Sequence, residues 1–233
     1  MTLQGSAKHE LIKTGELEVE GRFVDASNAT LFARIASGSD SIPVIYKPIA
    51  GERPLWDFPD GTLANREVAA YAFSDALGVD LVPFTVLRDG PFGPGSVQEW
   101  IEVPDDLDIV EMVRSESDRF RTLALFDAMI NNTDRKFGHI LVDASGHVYG
   151  CDHGVCFHED DKLRTVLWNW SGEEFLPEEL AILEKATVAR EAANPYLATA
   201  EVDALAQRIE LLLTIKSFPV PSELWPPVPF PPY

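Results

Sequence analysis

The stretch that decides the fold is NNTDRKFGHILVD (residues 131–143), continued after a Ser145-Gly146 turn by HVYGCDHG (residues 147–154). The first half opens as polar loop, because Asn, Thr, Asp and Gly favour turns over helices or ladders. HILVD and HVYGC then read as two short strands around the turn. Upstream, DRFRTLALFDAMIN (residues 118–131) is apolar on nearly all sides, the pattern of a buried helix. The order is buried helix, loop carboxylate (Asp134), paired strands, and a second carboxylate (Asp152) at a strand end.

Toward the N-terminus the period changes to two. ELEVEGRFV (16–24), LFARIA (31–36) and IPVIYK (42–47) predict an antiparallel meander ending at Lys47, with DASNAT (25–30) as its first turn. Residues 48–62 are rich in Pro, Gly and Asp and read as loop. LANREVAAYAFSDALG (63–78) has helical spacing and a Gly78 stop. LVPFTVLR and GSVQEWIE then read as two strands flanking DGPFGPG. That turn resembles a phosphate loop only superficially, since its prolines remove the amide donors such a loop needs. Residues 1–15 show no strong signal and are expected as a polar lead-in.

Toward the C-terminus, residues 99–118 hold eight acids against one Arg and are expected as a solvated face. PEELAILEKATVAREAA starts a helix at Pro177 with two acids in its first turn. EVDALAQRIELLLTIK is amphipathic, with Val202, Leu205, Ala206, Ile209, Leu212 and Leu213 on one stripe. Residues 219–233 carry seven of the 17 prolines and cannot form helix or central strand. Trp225, Phe230 and Tyr233 favour packing of this tail on its own helical lobe. As a polyproline segment it is also a candidate ligand for another protein.

The whole chain of 233 residues carries 19 Lys+Arg against 38 Asp+Glu, a net charge of −19. Nucleic-acid binding needs clustered cations and is excluded on this ground. Anionic membrane surfaces should repel the chain. No apolar run is long enough to span a bilayer, no signal-peptide pattern opens the sequence, and two cysteines cannot build a disulfide framework, so a cytoplasmic protein is expected. Cys151, His153, Cys156 and His158 are zinc-ligand types, but four within eight residues do not form two separated ligand pairs. The cysteines read as small apolar residues.

Five residues occur in a telling order: Lys47 at a strand end, Glu67 on the following helix, Asp134 in the loop, His139 five residues later, and Asp152 at the second strand end. A strand lysine held by a helix glutamate can reach nucleotide phosphates. A loop aspartate can orient or deprotonate an acceptor hydroxyl, and a second aspartate can hold a divalent metal. Phosphoryl transfer needs positioning and charge neutralisation more than covalent help.

NNTDRKFGHILVD resembles the catalytic loop of phosphatidylinositol 3- and 4-kinases, and HVYGCDHG their metal-binding segment. The chain as a whole resembles small actinobacterial proteins of the phosphatidylinositol 3/4-kinase-like family. The resemblance implies an α+β, minimal bilobal protein-kinase-like fold: an antiparallel five-stranded N-lobe with one helix (residues 1–103), a reduced, mainly helical C-lobe (104–218) and the proline-rich tail (219–233). It implies ATP between the lobes. Lys47 would bind phosphate, Glu67 would pair with it, Asp134 would be catalytic and Asp152 would bind metal. Gln98, Glu99 and Ile101 would lie near the hinge that holds the adenine.

Where a glycine-rich loop would stand, the chain has residues 25–30. Ser27, Asn28 and Thr30 there are expected near the nucleotide, and Ser27 and Thr30 as autophosphorylation targets. His139 stands where the family has Asn, and imidazole suits Mn²⁺ better than Mg²⁺. Arg135 and Lys136 are expected to stabilise the transferring phosphoryl group. The sequence leaves three functions open: a protein kinase of Ser/Thr type that also modifies itself, a lipid or small-molecule kinase, and a nucleotide-binding regulator without catalysis. It does not identify the phosphoacceptor.

Overall fold

The computed structural model describes residues 5–23, 28–115 and 118–233. Five strands, β1 (Glu16–Arg22), β2 (Leu31–Ser37), β3 (Asp40–Pro48), β4 (Thr85–Gly90) and β5 (Gly93–Glu99), form one antiparallel sheet in the order β1-β2-β3-β5-β4. Alternation sorts its two faces. Leu17, Leu31, Ala33, Ile35, Val44, Tyr46 and Val97 pack into one core with Phe84. The register sets Phe32 opposite Ile45, Ile45 opposite Gln98 and Lys47 opposite Ser96, so these five residues share the other face.

The first core is closed by a helix that the sequence did not announce. Residues expected as a polar lead-in form α1 (Gly5–Thr14), which inserts Leu11 and Ile12 against the sheet. Two adjacent apolar residues in ten are too few to display a helical period, and only the sheet's apolar face gives them a place to bury. Likewise the acidic run contains a short helix, α3 (Ile109–Arg114), whose Asp108 side chain caps it by accepting from Glu111 N at 3.0 Å.

α2 (Leu63–Leu77) ends as expected at Gly78, which adopts the left-handed φ of 68°. Its first turn is capped from a distance: Glu52 accepts from the amides of Leu63 and Ala64 at 3.1 and 2.9 Å. A carboxylate there meets the positive end of the helix. Although α2 lies between strands of the sheet in chain order, Ala69, Ala70, Phe73 and Leu77 belong to the second core. That core also holds α4 (Arg121–Ile130), α5 (Pro177–Ala189), α6 (Thr199–Ile215) and the hairpin of β6 (Ile140–Val142) and β7 (Val148–Gly150). Phe73 stacks on Phe126 of α4 with ring centroids 5.7 Å apart. The chain is therefore α+β with an antiparallel five-stranded sheet and a helical lobe, and α2 fastens one to the other.

The tail returns to the helical lobe, where Pro229 is buried and Pro227 O accepts from both Thr165 N and Trp168 Nε1 at 2.9 Å. Because Phe73 is fully buried at the seam of the lobes, Phe73→Ala should cost about 3–5 kcal/mol. Urea titration should show one lowered midpoint, with sheet and helical probes shifting together.

Candidate active site

Lys47 stands on β3 and Glu67 in the second turn of α2, and both reach the junction between sheet and helical lobe. The Lys47 ammonium bonds Glu67 Oε1 and lies 2.8 Å from Asp152 Oδ1. Glu67 Oε2 accepts from the His153 amide at 3.0 Å. One ammonium thus joins residues 47, 67 and 152. Burial alone would lower the Lys47 pKa, but Asp152 and Glu67 carry it above the ordinary lysine value. The same Lys47 holds the Asp152 carboxyl well below the usual carboxylate range, against the opposing effect of burial. Burial raises Glu67, with Lys47 opposing. Asp152 adopts a left-handed φ of 61°, an unusual conformation for a residue with a side chain.

Asp134 is positioned by its neighbours. Asn131 ends α4 in the left-handed region at φ 52°. Asn132 donates to Asp127 at 2.9 Å and accepts from the Asp134 amide at 3.0 Å. Thr133 donates to Val155 O through both its amide and its hydroxyl. The Asp134 carboxylate is left partly exposed, 3.1 Å from Lys136 Nζ.

His139 completes the cluster. Its Nδ1 lies 3.0 Å from Asp134 O, and a carbonyl can only accept, so Nδ1 carries the proton. Burial lowers the His139 pKa and favours the neutral ring, although Asp152 opposes this. The Nε2 lone pair then faces Asp152 Oδ2 across 3.2 Å. Two acceptors at this distance repel unless a cation sits beside both. Adjacent ligands of an octahedral ion at about 2.1 Å stand roughly 3 Å apart, so the pair fits a divalent metal. Among the described residues no group of three His, Cys, Asp or Glu could hold a metal. Oxygens from a ligand such as a phosphate would have to supply the other positions. Cys151 and His153, considered as zinc ligands, serve the fold. Burial pushes the Cys151 thiol up to about 12 and keeps His153 neutral.

Several expected site residues are placed otherwise. Arg135 does not face the junction: it is fully buried, paired with Asp127 at 2.9 Å, and donates to His139 O, Cys151 O and His153 Nε2. With its donors engaged inside the helical lobe it cannot reach a transferring phosphoryl group, whereas Lys136 is at the surface of the loop. Glu99 points to the α1 side, where it pairs with Lys8, and its amide donates to Phe84 O at 2.8 Å. Its side chain and its amide both make contacts within the fold. Gln98 is buried and donates to Thr85 Oγ1 at 2.9 Å. Ile101 follows β5 in irregular chain, half-buried. Asn28 accepts from Arg53 N at 2.8 Å, tying the first turn to the loop after β3, and Thr30 N donates to Asn28 O. Ser27 lies outside the described residues.

Three aromatics went unremarked in the sequence. Trp100, just after β5, stacks on Phe23 (6.3 Å) and meets Phe32 edge-on (5.3 Å). Their common location depends on the β1–β2, β2–β3 and β3–β5 pairings, which bring together residues far apart in the chain. Asn131 and Asn132 were likewise missed as the residues that hold the loop. The only sequence signal was an Asn pair closing a buried helix.

These features describe a protein of the kinase-like fold class, with a Lys-Glu pair on the sheet side and a carboxylate-bearing loop on the helical side. No known protein-family profile matches the chain. Solved structures show the fold. The Helicobacter pylori proinflammatory kinase CtkA aligns with a TM-score of 0.54 at 12% identity, covering 89% of this chain and 94% of that one. The Golgi casein kinase aligns with a TM-score of 0.53 at 12% identity, covering 91% and 78%. By sequence, Protein Rv2133c of Mycobacterium tuberculosis is 40% identical over 271 aligned residues, covering 99% of this chain and 97% of its own length. The chain belongs to the family of that mycobacterial protein.

Removing Asp127 would leave the Arg135 guanidinium buried without its carboxylate. Asp127→Asn should therefore cost about 3–5 kcal/mol. Lys136→Ala breaks a partly exposed pair and should cost at most about 1 kcal/mol. Chemical denaturation of the two variants side by side checks the contrast.

Proposed function

We propose that the protein is an ATP-dependent phosphotransferase. The observation that carries this reading is the single Lys47 ammonium shared by Glu67 and Asp152, next to the His139 and Asp134 loop. Lys47 contacts the α- and β-phosphates and is oriented by Glu67. A polyphosphate offers Lys47 a stronger anionic partner than Asp152, so nucleotide entry frees Asp152 for metal. Asp152 and His139 would hold a divalent cation, which would supply charge neutralisation at the phosphates. Phe23, Phe32 and Trp100 offer the aromatic surface for the adenine, near Gln98 and Ile101.

Asp134 accepts the proton of the acceptor hydroxyl. As that O–H bond breaks, the acceptor oxygen bonds the γ-phosphorus, and the bond to the β-bridging oxygen breaks to leave ADP. Lys136, beside Asp134, stabilises the charge on the moving group, the role expected of it together with Arg135. The division into residues 1–103, 104–218 and the tail follows from this reading, with the nucleotide between the first two.

The net charge of −19 favours a polypeptide acceptor over a phosphatidylinositol headgroup, which sits on an anionic surface. The protein's own Thr30 and Ser27 are then acceptors within reach of an assay. Labelled ATP with Mg²⁺ or Mn²⁺ should place phosphate on protein rather than on phosphatidylinositol vesicles, and phosphopeptide mapping should recover residues 27–30. Asp134→Asn should lower transfer by about a hundred- to ten-thousand-fold while leaving nucleotide affinity unchanged. Full transfer by that variant removes Asp134 from the mechanism.

The imidazole at 139 predicts a metal preference. Nucleotide binding followed by calorimetry should be tighter with Mn²⁺ than with Mg²⁺, and His139→Asn should reverse the order, because an amide oxygen is the harder donor. Equal support by both metals before and after the substitution excludes His139 as a ligand.

A further inference from the structure

One row of residues crosses the sheet on the face that carries Lys47. Phe32 on β2 stands opposite Ile45 on β3, Ile45 opposite Gln98 on β5, and Gln98 opposite Thr85 on β4. Residues directly opposite one another in a ladder share a face, so all four belong to the lysine side of the sheet. Lys47 is two residues along β3 from Ile45, about 7 Å away. In the other direction Trp100 is two residues along the chain from Gln98, and it meets Phe32 edge-on with ring centroids 5.3 Å apart. Gln98 therefore lies between the lysine end of this face and its aromatic end.

The orientation of the Gln98 amide is fixed by its neighbours. Thr85 Oγ1 lies 2.8 Å from Pro83 O. A carbonyl can only accept, so the Thr85 hydroxyl proton is committed to Pro83. Thr85 Oγ1 then has only lone pairs to offer, and the end of the Gln98 amide 2.9 Å from it must be the NH2 group. That bond engages one side of the amide and leaves the other, the acceptor Oε1. The side chain as a whole is only 6% exposed. Yet Oε1 has no hydrogen-bond partner among the described residues, and it is not among the buried polar atoms there that lack one. It is an acceptor that keeps access to solvent from a buried side chain.

A fixed acceptor at that place discriminates between purines. Adenine carries an amino group at C6, a donor, whereas 6-oxo purines such as guanine carry an acceptor oxygen there. A nucleotide whose base stacks at the aromatic end and whose phosphates reach Lys47 lies across the Gln98 row. The adenine amino group can donate to Oε1. A 6-oxo purine brings oxygen against oxygen, and the amide cannot turn its NH2 toward the base without giving up Thr85. Leaving such a group unpaired is what makes a hydrogen-bonding site reject the wrong analogue.

We propose that Gln98 Oε1 reads the 6-amino group of adenine, so that the site selects ATP over 6-oxo purine nucleotides, and that Thr85 is the positioning residue that fixes the amide. The proposal rests on the reading of the junction as a nucleotide site; it adds which base is taken and which atom chooses it.

The test is calorimetric binding to the full chain with Mn²⁺, which needs no phosphoryl transfer. The probes are ATP, ITP, in which an oxo group replaces the 6-amino group, and purine riboside triphosphate, which has neither. The wild type should bind ATP about ten- to a hundredfold more tightly than ITP, with purine riboside triphosphate between them. Gln98→Leu should bring the three affinities together through a loss for ATP. Thr85→Val should narrow the ratio of ATP to ITP, and Thr85→Ser, which keeps the hydroxyl, should preserve it. Inorganic tripolyphosphate should bind the wild type and all three variants alike, because the lysine end is untouched.

Equal binding of ATP and ITP by the wild type overturns the role of Gln98 and leaves nucleotide binding standing. So does a ratio that neither Gln98→Leu nor Thr85→Val changes. Should Gln98→Leu fail to fold, the two Thr85 variants still decide, since a hydroxyl with a purely structural role would not move the ratio. If no nucleoside triphosphate binds the wild type, the nucleotide reading itself fails and this one falls with it.

Discussion

The architecture depends on one ammonium group. Lys47 belongs to the sheet, Glu67 to the helix that joins the lobes, and Asp152 to the end of the β7 strand in the helical lobe. Three elements far apart in the chain meet at Nζ. Taking such charges out of water is costly, and their mutual attraction offsets that cost only when the geometry is good. For stability the arrangement is therefore a modest device. Its value lies elsewhere: two carboxylates on one lysine leave an excess negative charge at the junction, which a phosphate-bound cation would relieve. The left-handed backbone at Asp152 fits the same view, since an unusual conformation persists where surrounding contacts over-determine it.

Two neighbouring cations show what a sequence can and cannot say. Arg135 and Lys136 are adjacent and equally charged, and both suggest phosphate contacts. In the fold they go opposite ways. The planar guanidinium, with five donors, satisfies a ring of carbonyls and Asp127 inside the lobe, a task suited to arginine. The single point charge of Lys136 stays beside Asp134. Nothing in the order of residues separates the two. What does is the presence of Asp127 on the facing turn of α4, and a buried helix with one carboxylate was the available clue.

The larger elements were legible because their patterns are long. The meander of β1–β3, the Gly78 stop, the buried α4 and the amphipathic α6 each display their period over many residues. The residues of the junction were legible for another reason: their chemical types occur in a fixed order along the chain, and order survives folding. What was not legible depends on partners supplied from afar. α1 needs the sheet to bury Leu11 and Ile12. Glu99 needed Lys8 of α1 as the partner its side chain pairs with. The aromatic cluster of Phe23, Phe32 and Trp100 exists only after the strands have paired.

The tail reverses the usual expectation about proline-rich segments. Seven prolines in fifteen residues suggest a handle offered to other proteins. Yet a segment poor in amide donors is suited to a surface that offers donors, and Phe137 N, Thr165 N, Trp168 Nε1 and Arg164 Nε offer them to its carbonyls. Two cations meet the tail and both are engaged: Arg164 donates to Pro226 O at 3.1 Å, and Lys162, beside Trp225, pairs with Asp57 at 3.0 Å. Lys162 lies 5.6 Å from the Trp225 ring and 4.8 Å from that of Trp56, so it links the tail to the loop after β3 as well.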